Sequence, residues 1–326
     1  MRTTFVKTLL QLAKKDPKIV LLTGDLGYSV FEEFQKQLPR QFLNCGIAEQ
    51  NMTGVAAGMA MEGLKPIIYS IVPFVTMRNF EQIRNDICYQ NLDVKIVGVG
   101  AGFSYGPYGH THHALEDIGI LRTLPNMTIL APGDPVEAEL GTIAMMKHQG
   151  PVYLRLGKSG EPNVHKKKPA FKIGKGIVVR EGSDVTIIAT STMLNTALQV
   201  QVLSSSLNSQ HKNSKSTQNP ELRTQYYSVR VISMPTIKPL DEEIIIDSAR
   251  KTKCIVTLEE HSIIGGLGSA VAEVIAEYNL NVKFKRIGVP DRFTKTIGSQ
   301  EYMRKANGLD AIEIMNQIEI LIDTKK

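Results

Sequence analysis

A single carboxylate, Glu49, stands at the start of a segment, residues 44–63, that is rich in small side chains. The residues after it predict a helix built largely from Thr53, Gly54, Ala56, Ala57, Gly58 and Ala60. Each glycine costs a helix about 1 kcal/mol relative to alanine, so a close contact must offset that cost. One interpretation is a buried helix packed tightly on a sheet. The other is a dry interface in which Glu49 can exchange a proton with a ligand.

A glycine-rich and aromatic loop, residues 101–113, contains His110, His112 and His113. Two of these histidines could chelate a metal ion. However, no cysteine or carboxylate cluster stands near them at ligand spacing, so we predict no metal site formed by this chain alone. A polar lining that binds hydroxyl groups and transfers protons suits these residue types better. The alternative is a loop histidine that only caps a neighbouring group.

Three polar residues far apart in the sequence, Arg2, Ser29 and Arg155, stand near predicted strand ends or in the first helix. Arginine is suited to bidentate contacts with phosphate. Each arginine by itself could be an ordinary surface residue. Together with a formal net charge of +6, they favour a phosphorylated substrate.

A GVGAG run at residues 98–102 follows a predicted strand and resembles part of a dinucleotide-binding fingerprint. No helix starts directly after these glycines, and no acidic residue ends the next strand at the expected distance. The run therefore does not favour NAD binding.

The elements that must position these residues alternate strictly between strand and helix. Short apolar segments predict strands near residues 18–22, 42–43, 66–69, 94–100, 127–130 and 152–155, and residues 74–90 predict one continuous helix. Apolar strands in this order indicate a parallel sheet covered by helices, and ligands bind beyond the carboxyl ends of such strands. Asp25, the Glu49 segment, residues 70–74, the 101–113 loop and Arg155 are all expected to follow strand ends and meet at one edge.

A chain of 326 residues favours two domains. We predict an α/β protein with two doubly wound domains and mostly parallel sheets. The predicted boundaries are residues 1–160, a Lys-, Pro- and Gly-rich linker at 161–175, and a second domain at 176–326. A polar insertion at about 204–227 predicts a solvated loop, either a neutral surface insertion or a segment that binds a partner.

Composition excludes several classes of protein. The sequence contains no stretch of eighteen apolar residues, so it predicts no membrane helix. Its first residues lack the pattern of a signal peptide. Three scattered cysteines are typical of a reducing cytoplasm and exclude a disulfide framework. Lysine clusters without interleaved aromatic residues do not indicate binding to nucleic acid.

Long motifs carry a family resemblance. GIAEQNM at 46–52, FVTMRNFEQIR at 74–84 and GHTHHALEDIGILRTLPNMTIL at 109–130 resemble the pyrimidine-binding domain of transketolases. ISMPTIKPLDEE at 232–243 and LEEHSIIGGLG at 258–268 resemble their C-terminal domain. The resemblance covers nearly the whole chain except residues 204–227. Deoxyxylulose-phosphate synthase shares GIAEQ, and the β subunit of 2-oxoacid dehydrogenases is more distantly similar.

The diphosphate-binding domain of transketolases, with its GDG motif, has no counterpart here. The resemblance therefore implies the C-terminal half of a split transketolase. Its partner would be an N-terminal subunit carrying GDG, in an α2β2 assembly. Thiamin diphosphate would lie between the two chains, with Mg²⁺ or Ca²⁺ held mainly by the partner.

The resemblance also implies roles for individual residues. Glu49 would share a proton with the aminopyrimidine ring, Phe74 would pack on that ring, and Asp25 would line the cofactor. His112 would meet substrate hydroxyl groups, and the sugar phosphate would be bound by Arg2, Ser29 and Arg155. Tyr108 stands where the family usually has an acidic residue, and a usual histidine falls near Gly100, so His110 or His113 could take over part of this work.

These implications predict a transferase subunit that moves a two-carbon ketol unit between sugar phosphates. The enzyme alternatives are a deoxyxylulose-phosphate synthase-like protein and the β subunit of a 2-oxoacid dehydrogenase. The non-enzyme alternative is a regulatory or scaffold subunit that keeps the fold without the chemistry.

Overall fold

A computed structural model describes residues 1–213 and 227–323, with no side-chain detail for residues 206–213. Its strands are β1 Ile19–Thr23, β2 Phe42–Asn44, β3 Lys65–Ile71, β4 Lys95–Val99, β5 Thr128–Leu130, β6 Val152–Leu156, β7 Ile177–Arg180, β8 Val185–Ala189, β9 Val229–Ser233, β10 Thr236–Lys238, β11 Cys254–Ser262 and β12 Lys283–Val289.

Helices alternate with these strands along most of the described chain. They are α1 Arg2–Ala13, α2 Glu32–Gln37, α3 Glu49–Met61, α4 Val72–Thr76, α5 Phe80–Gln82, α6 Asp117–Arg122, α7 Pro135–Lys147, α8 Met193–Asn213, α9 Glu242–Lys251, α10 Leu267–Glu277, α11 Gln300–Ala306 and α12 Ala311–Asp323. None of the helices in the described residues is long and apolar enough to cross a membrane.

The strands form two sheets. The first has the order β10-β5-β6-β4-β3-β1-β2, and the second has the order β12-β11-β8-β9-β7. Pairing is parallel except at β10, which runs antiparallel to β5, and at β7, which runs antiparallel to β9. The prediction of two mostly parallel α/β sheets is confirmed.

Burial explains why the inner strands are predominantly apolar. Every residue of β1, β4, β6 and β8 is buried, because helices cover both faces of these strands. The edge strand β7 instead alternates between half-buried and exposed residues. The first sheet also takes β10 from the second half of the chain, so the two halves share a sheet edge.

Two local predictions differ from the structure. The continuous helix expected over residues 74–90 is divided into α4, α5 and a π-helical segment, Ile83–Cys88. The loop expected to begin at Ser204 is helical as far as Asn213, since α8 continues to that residue. The remainder of the predicted insertion, residues 214–226, lies outside the described residues.

Candidate active site

Glu49 begins α3, directly after the turn that follows β2, and its side chain is only 1% exposed. The Ser70 hydroxyl, on β3, lies 3.4 Å from Glu49 Oε1. Gly24, just beyond β1, approaches the same carboxylate so closely that a Cβ atom there would lie 3.4 Å from Oε1. Three neighbouring elements of the first sheet therefore enclose one carboxylate at the carboxyl edge of the strands, where the sequence predicts a site.

Phe74 and Arg78 form the outer wall of this carboxylate site. Arg78 Nη1 donates a hydrogen bond of 2.8 Å to Glu49 Oε2. The guanidinium carbon of Arg78 also lies 4.5 Å from the centroid of the Phe74 ring, as a cation–π pair. The Arg78 side chain is 43% exposed, so it separates the buried carboxylate from solvent. No sequence pattern predicted this role of Arg78, although the residue stands within the FVTMRNFEQIR motif.

His112 is the loop histidine that the structure brings to this wall. Its ring lies 5.2 Å from the Phe74 ring and 5.3 Å from the Tyr108 ring. Burial, reinforced by the nearby His113, lowers the pKa of His112. A neutral imidazole at pH 7 can accept or donate a hydrogen bond to a hydroxyl group.

The other two loop histidines have different surroundings. His113 is 4% exposed, and its Nε2 lies 3.2 Å from the Gly106 carbonyl, so it stabilises the loop from inside. His110 is exposed and packs edge-on against Phe293, with 4.6 Å between ring centroids. Only His112 among the three contacts Phe74.

Asp25 lies at the same sheet edge, immediately after Gly24. Its Oδ1 accepts a 2.9 Å hydrogen bond from the Asn44 side-chain amide, and its backbone N–H donates to Asn44 Oδ1 at 3.1 Å. Its φ of 53° lies in the left-handed region, which aspartate tolerates better than most residues. This reciprocal pair holds the turns after β1 and β2 together and leaves Asp25 exposed.

Arg2 and Ser29 are brought together in one groove of 460 Å³ between α1 and the loop after β1. Tyr105 lies beside Arg2, and burial raises its pKa, an effect that Arg2 partly offsets. Tyr105 in turn contacts Tyr108, with 5.9 Å between ring centroids. The tyrosines therefore connect the Arg2–Ser29 groove with the wall formed by Phe74 and His112.

Arg155 is brought to the level of this edge but is sealed inside the protein. It lies one residue before the end of β6, level with Ser70 on β3, and its side chain is completely buried. Arg155 Nε donates to Asp117 Oδ2 at 2.8 Å, and Nη2 donates to the carbonyl oxygens of Ala114 and Glu260. Because its charge is compensated inside the protein, it offers no exposed surface to a phosphate. Lys158 does follow β6, and its carbonyl oxygen accepts a 2.9 Å hydrogen bond from the Arg2 backbone amide. No sequence pattern pointed to this residue.

A second cluster of polar side chains, Asp134, Glu137 and His165, brings three potential metal-ligand atoms within 4.8 Å. These atoms already have protein partners. Asp134 accepts hydrogen bonds from the backbone amides of Glu137, Val164 and His165, and Glu137 Oε1 bonds the His165 ring at 2.7 Å. The cluster therefore attaches the segment after β6 to the start of α7.

Comparison with known proteins gives both halves of the chain a counterpart. Residues 1–162 match the family model "Transketolase, pyrimidine binding domain", and residues 219–314 match "Transketolase, C-terminal domain". The chain is 36% identical over 326 residues to the 6-deoxy-6-sulfo-D-fructose transketolase subunit SqwH of Clostridium sp. (strain MSTE9), covering 100% of this chain and 95% of that protein. It is 38% identical over 292 residues to a subunit of the apulose-4-phosphate transketolase of Phocaeicola vulgatus, covering 89% of this chain and 87% of that protein.

A solved structure is similar over the whole chain. It is described as a split gene transketolase in an inactive β4 tetramer. The TM-score is 0.84 at 37% sequence identity, and the match covers 100% of this chain and 98% of that one.

Proposed function

This chain belongs to the transketolase family, and we propose that it is the pyrimidine-binding subunit of a split transketolase. Together with a separate diphosphate-binding subunit, it transfers a two-carbon ketol unit between sugar phosphates. One observation carries this proposal. Glu49 is a carboxylate with 1% exposure at a parallel-sheet edge, with the Phe74 ring on its outer wall.

The donor set fits the aminopyrimidine half of thiamin diphosphate. Glu49 would hold a proton for a ring nitrogen, and Phe74 would pack against the ring face, with Asp25 on the adjoining turn. When bound, thiamin diphosphate supplies a thiazolium carbon that acts as nucleophile and electron sink. This chain would contribute the packing surface of Phe74 and the proton exchanged at Glu49.

We assign Mg²⁺ or Ca²⁺ and the diphosphate to a partner subunit that carries the GDG motif, as the family resemblance implies. On this chain, the carboxylate of Asp25 on the adjoining turn accepts a hydrogen bond from Asn44 at Oδ1. An α2β2 assembly would place each cofactor between two chains.

The substrate side of the site suits an anionic sugar. Arg2 and Ser29 line a groove that can receive a phosphate, and the neutral His112 can bond a sugar hydroxyl group. Tyr108, which is 68% exposed, presents a phenol where transketolases usually have an acidic group. The set of accepted sugars should therefore differ from that of a common pentose-phosphate enzyme. Arg155 is excluded from this binding set because it is fully buried and paired with Asp117.

The surface of α3 supports the need for a partner. Gly54 and Gly58 are exposed on it, and a Cβ atom at either position would meet nothing within 4 Å. Ile47, in the turn before α3, and Met61, the last residue of α3, are 76% and 55% exposed. We assign this face to the interface with the partner subunit, which would also seal the cofactor between the chains.

The reduced state of the cysteines supports a cytoplasmic location. Cys45, Cys88 and Cys254 are all free thiols. Free thiols persist in a reducing compartment.

The test is hydrogen exchange at the thiazolium carbon in the reconstituted two-subunit complex, followed by NMR. Glu49→Gln removes the exchangeable carboxyl and should slow this exchange by at least about 100-fold, the size of a typical acid–base contribution. Glu62→Gln is the matched control, because Glu62 is exposed at the far end of the same helix.

Normal exchange in Glu49→Gln would show that the assigned role of Glu49 is wrong. Turnover of sugar phosphates by the isolated chain would remove the need for a partner. Decarboxylation of pyruvate by the complex would assign it to a different branch of thiamin-dependent enzymes.

A further inference from the structure

The two side chains assigned to the pyrimidine ring are already engaged, and by the same residue. Arg78 Nη1 lies 2.8 Å from Glu49 Oε2, and the Arg78 guanidinium carbon lies 4.5 Å from the Phe74 centroid. Glu49 is 1% exposed, and among the described residues its other oxygen has only a long contact of 3.4 Å, to the Ser70 hydroxyl. Arg78 is therefore the principal partner of this carboxylate.

A guanidinium group and an aminopyrimidine ring make the same two contacts. Each is planar and delocalised, can hydrogen-bond a carboxyl group in its own plane, the guanidinium through an N–H and the ring through its nitrogen, and presents a π-face that packs on an aromatic ring. In the proposed site the ring would bond Glu49 from the side that Arg78 occupies and would pack on the same face of Phe74, so Arg78 and the ring would compete for both contacts.

The burial of Glu49 explains why Arg78 would pair with it before the cofactor binds. A carboxylate with 1% exposure is costly to leave unpaired, since breaking a buried ion pair leaves an uncompensated charge. A chain that receives its cofactor only on assembly must satisfy Glu49 before that event. Arg78 suits this task because 43% of its side chain is exposed, so it can move into solvent without disturbing the core.

We propose that Arg78 is a placeholder for the aminopyrimidine ring, which occupies Glu49 and Phe74 in the cofactor-free subunit and leaves when the cofactor binds. This inference rests on the proposed function, because it assumes that Glu49 and Phe74 form the pyrimidine site. It makes Arg78 a regulator of cofactor affinity rather than a catalytic residue.

The experiment measures binding of an isolated aminopyrimidine, 4-amino-5-hydroxymethyl-2-methylpyrimidine, to the full chain without its partner. This probe lacks the thiazolium and diphosphate, so it reports only the half-site that this chain forms. Ligand-observed NMR gives the dissociation constant for wild type, Arg78→Gln, Arg78→Lys and Glu49→Gln. Arg84→Gln is the matched control, because Arg84 is exposed on the next turn and its guanidinium bonds the neighbouring Asn85 side chain.

Arg78→Gln should bind the probe about three- to tenfold more tightly than wild type, because it no longer competes through an ion pair and a cation–π contact. Arg78→Lys keeps the charge without the planar face and should show a smaller gain. This second variant carries the test if Arg78→Gln does not fold. Arg84→Gln should match wild type, and Glu49→Gln should lose binding.

Two kinds of failure are distinguishable. Equal or weaker binding in both Arg78 variants, with binding still lost in Glu49→Gln, would overturn the placeholder and leave the pyrimidine site intact. Binding that survives in Glu49→Gln, or that is absent from every variant, would instead overturn the pyrimidine site itself.

Discussion

Replacement of Asp117 by asparagine tests whether Arg155 serves the fold or the substrate. Asp117 and Arg155 are both completely buried, with Arg155 Nε and Nη2 at 2.8 and 3.2 Å from the carboxylate. The Tyr153 hydroxyl donates a further hydrogen bond of 2.7 Å to Asp117. Asparagine keeps the shape of the side chain but leaves the guanidinium charge without a counter-ion.

Asp117→Asn should lower the free energy of unfolding strongly, because the Asp117–Arg155 pair is shielded from water. Removal of one partner of a buried ion pair typically costs about 3–5 kcal/mol, since the remaining charge stays desolvated. The partly exposed pair between Lys65 and Asp16 provides the comparison, with the same N–O distance of 2.8 Å and side chains 33% and 29% exposed. Asp16→Asn should cost about 1 kcal/mol or less, because solvent screens this pair.

The contribution of Asp117 to the stability of the protein changes with pH in a definite direction. Burial alone would raise the pKa of Asp117, but the charge and hydrogen bonds of Arg155 outweigh it and hold the pKa below its ordinary value of 3.8. A carboxyl with a lowered folded pKa stabilises the protein above its unfolded pKa and loses this contribution as the pH falls through the folded value. Asp117→Asn should therefore reduce the loss of stability below about pH 4.

Urea unfolding followed by circular dichroism measures the free energy of unfolding for both variants, and the two-subunit enzyme gives KM for the sugar phosphate. Arg155→Met should also unfold more easily, while the folded fraction keeps a KM close to that of wild type. A cost in Asp117→Asn no greater than that in Asp16→Asn would refute the reasoning. A stable Arg155→Met with a strongly raised KM would return Arg155 to the substrate site.

Two further predictions concern the α3 face and the linker segment. Gly58→Ala should raise the unfolding free energy of the isolated chain by about 1 kcal/mol, because alanine is the better helix former and its Cβ meets nothing within 4 Å. Gly58→Leu should weaken association with the partner subunit in analytical ultracentrifugation, and unchanged association would contradict the interface on α3. His165 is also testable: burial alone would lower its pKa, but the hydrogen bond with Glu137 outweighs burial and raises the pKa above 6.5. The pair should therefore stabilise the chain fully below pH 6.5 and lose that contribution as the pH rises through the folded value. In His165→Gln, the urea midpoint of unfolding should no longer fall between pH 6 and 9 for this reason. His148→Gln is the opposite control, because burial lowers the pKa of His148 and its contribution disappears as the pH falls.

Local sequence was enough to predict the α/β class and the sheet edge at which Glu49 and Asp25 lie. A predominantly apolar run such as β1, IVLLT, is buried along its whole length, so its composition predicts a central parallel strand. The carboxyl ends of such strands share one edge, which brings the start of α3 close to the turn after β1. Glu49 and Asp25 were predictable there because local order along the chain fixes which strand end each residue follows.

Which side chains meet depends instead on how distant parts of the chain pack. Arg155 and Lys158 are three residues apart, yet one is sealed against Asp117 while the other follows the strand, because the exact end of β6 depends on its pairing with β4. The contact of Arg78 with both Glu49 and Phe74 depends on the break of the predicted helix into α4, α5 and the π-helical segment. The position of β10 at the edge of the first sheet likewise depends on packing between the two halves of the chain, which local sequence does not predict.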